Sequence, residues 1–150
     1  DALDIDFSKG IIKDTDFKSI GNDAIDLSNS LVYMSNVKVD SAGDKGISAG
    51  EKSLLNATNI SISNSSIGIA SKDLSVVEID NLKINNAKLG LTAFQKKEEF
   101  GPGSIIINIK EPIIAQKKYL LEPSSGIFIN NKTLLPNSNS VKDLLYPQDL

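Results

Sequence analysis

The sequence predicts an all-β protein, a parallel β-helix solenoid of about five coils of ~22 residues with an irregular C-terminal cap. Three observations carry that expectation. Short alternating motifs recur along the chain: Asp23-Ala24-Ile25-Asp26-Leu27, Lys45-Gly46-Ile47-Ser48-Ala49, Ile67-Gly68-Ile69-Ala70-Ser71 and Leu89-Gly90-Leu91-Thr92-Ala93 share a central aliphatic residue. Aromatics make up only 5% of the chain and Trp is absent, so the core must be built from stacked Ile, Leu and Val. Polar residues recur in step with the motifs, as in Asn36, Asn59 and Asn81, and Ser30, Ser53 and Ser75.

The elements follow in order. The first strand of each coil is centred on Ile5, Ile25, Ile47, Ile69 and Leu91, with a second inward position at Phe7, Leu27, Ala49, Ser71 and Ala93. A further apolar step lies at Ile11-Ile12, Leu31-Val32, Leu54-Leu55 and Val76-Val77. The next strand pairs Val37 with Val39, Ile60 with Ile62, Leu82 with Ile84 and Ile105 with Ile107, and Phe17 starts its counterpart in the first coil. Three short parallel sheets follow. Asn36, Asn59 and Asn81 are read as a structural amide ladder at the turn before that strand, with Asp16 in their place in the first coil.

The repeat breaks at Gln95-Lys96-Lys97-Glu98-Glu99-Phe100-Gly101-Pro102-Gly103, a polar loop closed by Gly-Pro-Gly. After Pro112 the spacing drifts into shorter strands with hairpin-like connections. The segment Ser140 to Tyr146 reads as a turn or two of helix stopped by Pro147 and serves as the cap. The expected division is therefore 1–108 for the coils and 109–150 for terminal strands and cap. Because Asp1 to Phe7 already reads as a core strand, the chain is expected to be the C-terminal part of a longer solenoid.

Composition excludes several classes. A net charge of −3, with no basic block longer than a Lys pair, gives no footprint for a nucleic-acid backbone. All the basic residues are Lys, which removes the bidentate forks that Arg supplies. Without Cys there is no disulfide framework or thiolate metal site, and without His the commonest general base is missing. No stretch approaches the ~18 apolar residues of a membrane-spanning helix.

The runs Asp1-Ala2-Leu3-Asp4-Ile5-Asp6-Phe7-Ser8, Gly21-Asn22-Asp23-Ala24-Ile25-Asp26, Gly43-Asp44-Lys45-Gly46-Ile47-Ser48, Lys72-Asp73-Leu74-Ser75 and Phe94-Gln95-Lys96-Lys97 resemble the right-handed parallel β-helix repeats of the pectin-lyase-like superfamily. More narrowly, they resemble uncharacterised bacterial C-terminal β-helix regions, some with a spore-coat-protein-H-like domain upstream. The resemblance covers residues 1 to about 108. It implies a right-handed coil and an exported or cell-surface setting among polysaccharides. The superfamily's lyases use Arg or Lys with acidic calcium ligands; no complete motif of that kind is present, and no catalytic residue is carried over.

Two places could carry chemistry. Outward positions beside the first strand gather Asp4, Asp6, Asp23 and Asp26, hard oxygen ligands that could hold calcium, the one cofactor the sequence suggests. In this register Asp6 and Asp26 are expected one sheet spacing apart, and Gly46, Gly68 and Gly90 leave the same face bare. Beside that glycine floor, Glu51, Lys72, Asp73 and Lys96 could line a carbohydrate groove, with a Lys as base or uronate partner. Two functions stay open: a non-catalytic module presenting a rigid face to polysaccharide or a protein partner, such as an upstream domain, and a polysaccharide lyase or hydrolase using the acidic face. The open first coil further predicts a homodimer.

Overall fold

The computed structural model describes residues 1–148. It is an all-β solenoid of about 6 turns with mostly parallel strands. The strands are β1 (Leu3–Asp6), β2 (Lys9–Ile20), β3 (Ile25–Ser28), β4 (Leu31–Ala42), β5 (Lys45–Gly50), β6 (Leu54–Ser63), β7 (Ile67–Lys72), β8 (Val76–Phe94), β9 (Ser104–Ile107), β10 (Ile114–Leu121), β11 (Gly126–Ile129) and β12 (Lys132–Thr133), followed by the short helix α1 (Val141–Leu145). The short strands β1, β3, β5 and β7, the end of β8, and β10 stack in parallel as one wall. The long strands β2, β4, β6 and β8 supply two more walls, because each bends midway.

The bend has a local cause. Asp14, Asn36, Asn59 and Asn81 all have φ between 49° and 61°, the left-handed region that Asn and Asp tolerate best. Their amides then bond upward from coil to coil: Asn36 Nδ2 to Asp14 Oδ1 at 3.0 Å, Asn59 Nδ2 to Asn36 Oδ1 at 3.2 Å, and Asn81 Nδ2 to Asn59 Oδ1 at 2.7 Å. Asp14, rather than Asp16, begins the series. Serines stack at another corner: the backbone N–H groups of Ser8, Ser30 and Ser53 donate to the hydroxyls of Ser30, Ser53 and Ser75.

Inside the walls, Ile25, Ile47, Ile69 and Leu91 form one column and Leu27 and Ala49 the next, all with no measurable exposure. Burying each Ile or Leu in this way contributes on the order of 2 kcal/mol. The first coil is displaced by two residues from its sequence-based alignment. Leu3 pairs with Ile25 and Ile5 with Leu27, so the 22-residue step holds from Leu3 onward. Phe7, expected inside, sits at the turn with φ 48° and is 75% exposed. Likewise Ile11 opposes Tyr33 and points outward, and Val37 opposes Thr15.

The later coils differ as well. Ile105 and Ile107 stack on Val77 and Ile79, not on Leu82 and Ile84, because the 95–103 loop replaces the turn before β9. Stacking continues past residue 108: β10 pairs with β8, β11 pairs with β9, and Ile113, Leu121 and Ile127 share the same apolar core. Among the described residues, only β11 and β12 form an antiparallel hairpin. Among the described residues no helix is long and apolar enough to cross a membrane.

Candidate functional site

The outer face of the short-strand wall follows from strand alternation. Because Ile25, Ile47, Ile69 and Leu91 point inward, the column Asp4–Asp26–Ser48–Ala70–Thr92 points outward. The neighbour of Asp26 is thus Asp4, and Asp6 aligns with Ser28 instead. Carboxylate oxygens of Asp1, Asp4 and Asp26 lie within 4.8 Å of one another. The Asp4 carboxyl is pushed above the usual range, by partial desolvation first and by Asp6 and Asp26 next. Asp23 stands apart from this group.

Asp23 is instead one half of a buried ion pair. Its Oδ1 lies 3.6 Å from Lys45 Nζ and accepts the Lys45 backbone N–H at 3.0 Å, and Lys45 Nζ also reaches Asp44 Oδ2 at 2.5 Å. Burial pushes the Asp23 carboxyl up, and Lys45 only partly offsets it while Asp44 and Asp26 add repulsion. Burial also opposes the charged Lys45, yet the hydrogen bond to Asp44, Tyr146 and the two carboxylates carry its pKa above the ordinary value. Both pKa values rise, which disfavours the charged Asp23 and favours the charged Lys45, because Lys45 has several compensating partners and Asp23 has one.

The glycine column is not an open floor. A Cβ at Gly46, Gly68 or Gly90 would stand 2.8, 2.5 or 2.6 Å from the carbonyl oxygen of Gly68, Gly90 or Lys118, and 2.8 Å from a side chain of Ile62, Ile84 or Ile113. These glycines allow close approach between coils and toward the core, which a bare strand face does not reveal in sequence. Above the wall, the C-terminal segment forms a roof: Val141, Leu145 and Tyr146 pack on Ile67, Leu89, Phe94 and Leu120. The Tyr146 ring lies 6.3 Å from that of Phe94 and receives Lys96 Nζ at 4.4 Å.

Three of the four groove candidates make side-chain contacts within the fold. Asp73 is buried and accepts the backbone N–H groups of Lys96 and Lys97 at 2.7 and 2.8 Å, fixing the start of the 95–103 loop. Glu51 pairs with Lys97, and Lys96 lies against Tyr146. Lys72 stretches over Gly50 with no ion pair among the described residues. Burial pushes its pKa down; Lys45 and Lys96 push the same way, while Asp26 and Asp23 oppose.

A lysine held below its ordinary pKa favours unfolding at neutral pH, and that cost fades as pH rises toward the unfolded value near 10.5. Lys72→Met is therefore expected to melt a few degrees higher than the parent at pH 7, with the gain shrinking as pH approaches about 10. Melting curves across that range check it; a variant less stable than the parent at pH 7 would show that the ammonium is well paired.

A further concavity lies elsewhere, at the corner joining the ends of the long strands to the short-strand wall. This trough of about 570 Å³ crosses the stacked coils and is lined by Gly43, Asn64, Ser66, Asn86, Lys88 and Gln116, among others, with no carboxylate. Asn64 and Asn86, with φ of 56° and 59°, form a second amide ladder: Asn86 Nδ2 donates to Asn64 Oδ1, and Asn64 Nδ2 to Asp40 Oδ1, both at 2.7 Å. The Asn64 bond, with help from Ser41 and Ser63, holds the Asp40 carboxyl below its usual range. Asn64 and Asn86 are 22 residues apart, and that spacing is the sequence signal that finds them.

The fold and this trough define a β-solenoid protein with a roofed wall and an open trough lined by amides, hydroxyls and one lysine. No family model, curated protein or solved structure matches the chain.

Proposed function

We propose that the chain is a non-catalytic β-helix module that presents a rigid face to a surface polysaccharide, the ligand lying along the trough at Asn64, Ser66 and Asn86. The observation that carries this reading is the lining itself: amides and hydroxyls repeat from coil to coil with a single Lys and no carboxylate. Each Asn amide has two N–H donors, and the ladder uses one, so donors remain for the hydroxyls of an extended polyol. A regular scaffold holds them at one sheet spacing, ~4.8 Å, without ordering cost on binding.

The enzyme alternative, with calcium on the acidic face, has less support. Of its groove residues, Glu51, Asp73 and Lys96 are engaged within the fold, and the surface beside them lies under the C-terminal roof.

The test is affinity electrophoresis of the domain through a panel of neutral and acidic polysaccharides, with reducing and unsaturated ends followed in parallel, with and without calcium. Retardation without product is expected, weakened roughly tenfold by Asn86→Ala combined with Ser66→Ala, the equivalent of one or two lost hydrogen bonds. Product that forms only with calcium and disappears in Asp26→Ala would overturn this reading in favour of the enzyme. Retardation unaffected by the trough substitutions would place the polysaccharide on another face.

A further inference from the structure

The wall made by the first halves of the long strands and by β9 turns an apolar stripe to solvent. Alternation sends Val32, Leu55, Val77 and Ile105 inward and their neighbours outward. The outward set includes Ile11, Leu31, Tyr33, Leu54, Val76 and Ile106. Ile11 is 67% exposed, Tyr33 51%, Leu54 48% and Ile106 41%. Two shallow depressions share Leu31 and Leu54, so the central part of the stripe is continuous. Large apolar side chains gathered on one flat face mark an interaction surface.

The charges on this wall are segregated. Lys9 and Lys13 flank Ile11 in the first coil, while three coils further on Val76, Glu78 and Asp80 stand at the positions of Lys9, Ile11 and Lys13. All four are exposed, and none forms an ion pair within the chain among the described residues. Between them the second and third coils carry Leu31, Tyr33 and Ser35, then Leu54, Asn56 and Thr58, with no charge. The wall is thus basic in the first coil, uncharged and largely apolar in the second and third, and acidic in the fourth, with Ile106 of β9 stacked beyond it.

Such a pattern is self-complementary. A two-fold axis lying in the plane of the wall, parallel to the strands and between the second and third coils, reverses coil order and keeps position along the strand. It sets coil one against coil four, so that Lys13 faces Asp80 of the second copy and Ile11 and Lys9 face Glu78 and Val76. It also sets coil two against coil three, joining Leu31 and Tyr33 to Leu54 and Asn56. The alternative axis, parallel to the solenoid, would face Lys9 with Lys13 and is disfavoured by like charge.

We infer that this wall docks a second copy of the chain, wall against wall, as an isologous dimer with an apolar centre and a Lys13–Asp80 contact at each end. The footprint, about 13 Å along the strands by about 19 Å across the coils, is roughly 250 Å² per copy, well below the ~800 Å² per partner of a standard stable interface. The dimer is therefore weak and reversible. The trough lies at a different corner of the coil and stays open in both copies.

Sedimentation velocity over a concentration series tests this, with circular dichroism to confirm that each exposed-site variant keeps its fold. The parent is expected to dimerise reversibly, more strongly at low salt. Lys13→Glu alone and Asp80→Lys alone are each expected to weaken self-association tenfold or more, because each places like charges opposite each other twice. Mixing the two variants restores association as a heterodimer, in which the introduced glutamate of one copy faces the introduced lysine of the other and the native pair forms at the opposite end. Leu54→Lys abolishes both kinds of dimer. A chain that remains monomeric throughout the series overturns the inference. So does a dimer indifferent to Asp80→Lys, which would be assembled through the unpaired edges of β1 and β2 instead.

Discussion

Gly68→Ala is expected to remove roughly 3 kcal/mol of folding stability, a fall in melting temperature of about 10 °C for a chain of this size. The added Cβ would stand 2.5 Å from the Gly90 carbonyl oxygen and 2.8 Å from Ile84 Cδ1. The first of these is backbone, fixed by parallel pairing of β7 with β8 and by β10 beyond it, so relief requires separation of coils. Gly10→Ala is the control, since nothing lies within 4 Å of its new Cβ and its effect should be near zero. Equal melting temperatures for the two variants would show that the coils do not approach so closely at Gly68.

Asp23→Ala is expected to be similarly damaging, by roughly 3 kcal/mol, because it strands a buried ammonium. Lys45 is 4% exposed and would keep Tyr146 and, as its one carboxylate, Asp44, whose side chain is much more open to water. The backbone N–H of Lys45 would also lose its acceptor. Asp23→Leu combined with Lys45→Met should recover most of the loss, since two desolvated charges are then replaced by apolar groups of similar size. Denaturant titration of the single and double variants gives the comparison; a double variant no better than Asp23→Ala would mean that the pair has a positive role beyond avoiding a lone charge.

Much of the scaffold is legible in the chain because stacking like on like writes itself as a fixed interval. Ile25, Ile47, Ile69 and Leu91 are in the column their spacing implies, as are Ser30, Ser53 and Ser75. The first coil was the difficult one. Ile5 and Phe7 mimic the alternation of Ile25 and Leu27, and both Asp4 and Asp6 resemble Asp26, so a slip of two residues preserves the apolar pattern. Only backbone pairing of Leu3 with Ile25 decides between the alignments. That slip moved the expected neighbour of Asp26 from Asp4 to Asp6. At the other end, the 95–103 loop hides which wall Ile105 and Ile107 rejoin, since an inserted loop resets the phase of the repeat.

The sequence by itself determined the solenoid, its step and the inward columns, because those depend on interactions between residues a constant interval apart. It left the functional surfaces open. Whether Gly68 floors a groove or lets two coils touch depends on the distance to Gly90 in the next coil, and whether Lys72 is a free base depends on what buries it. The roof of Val141, Leu145 and Tyr146 over Ile67 and Leu89 joins residues more than fifty positions apart with no shared period. Periodic contacts are encoded in every coil and can be read from repetition. A single non-periodic contact of the cap exists only once the chain has folded back on itself, so tertiary structure alone decided which faces are covered and which remain for a partner.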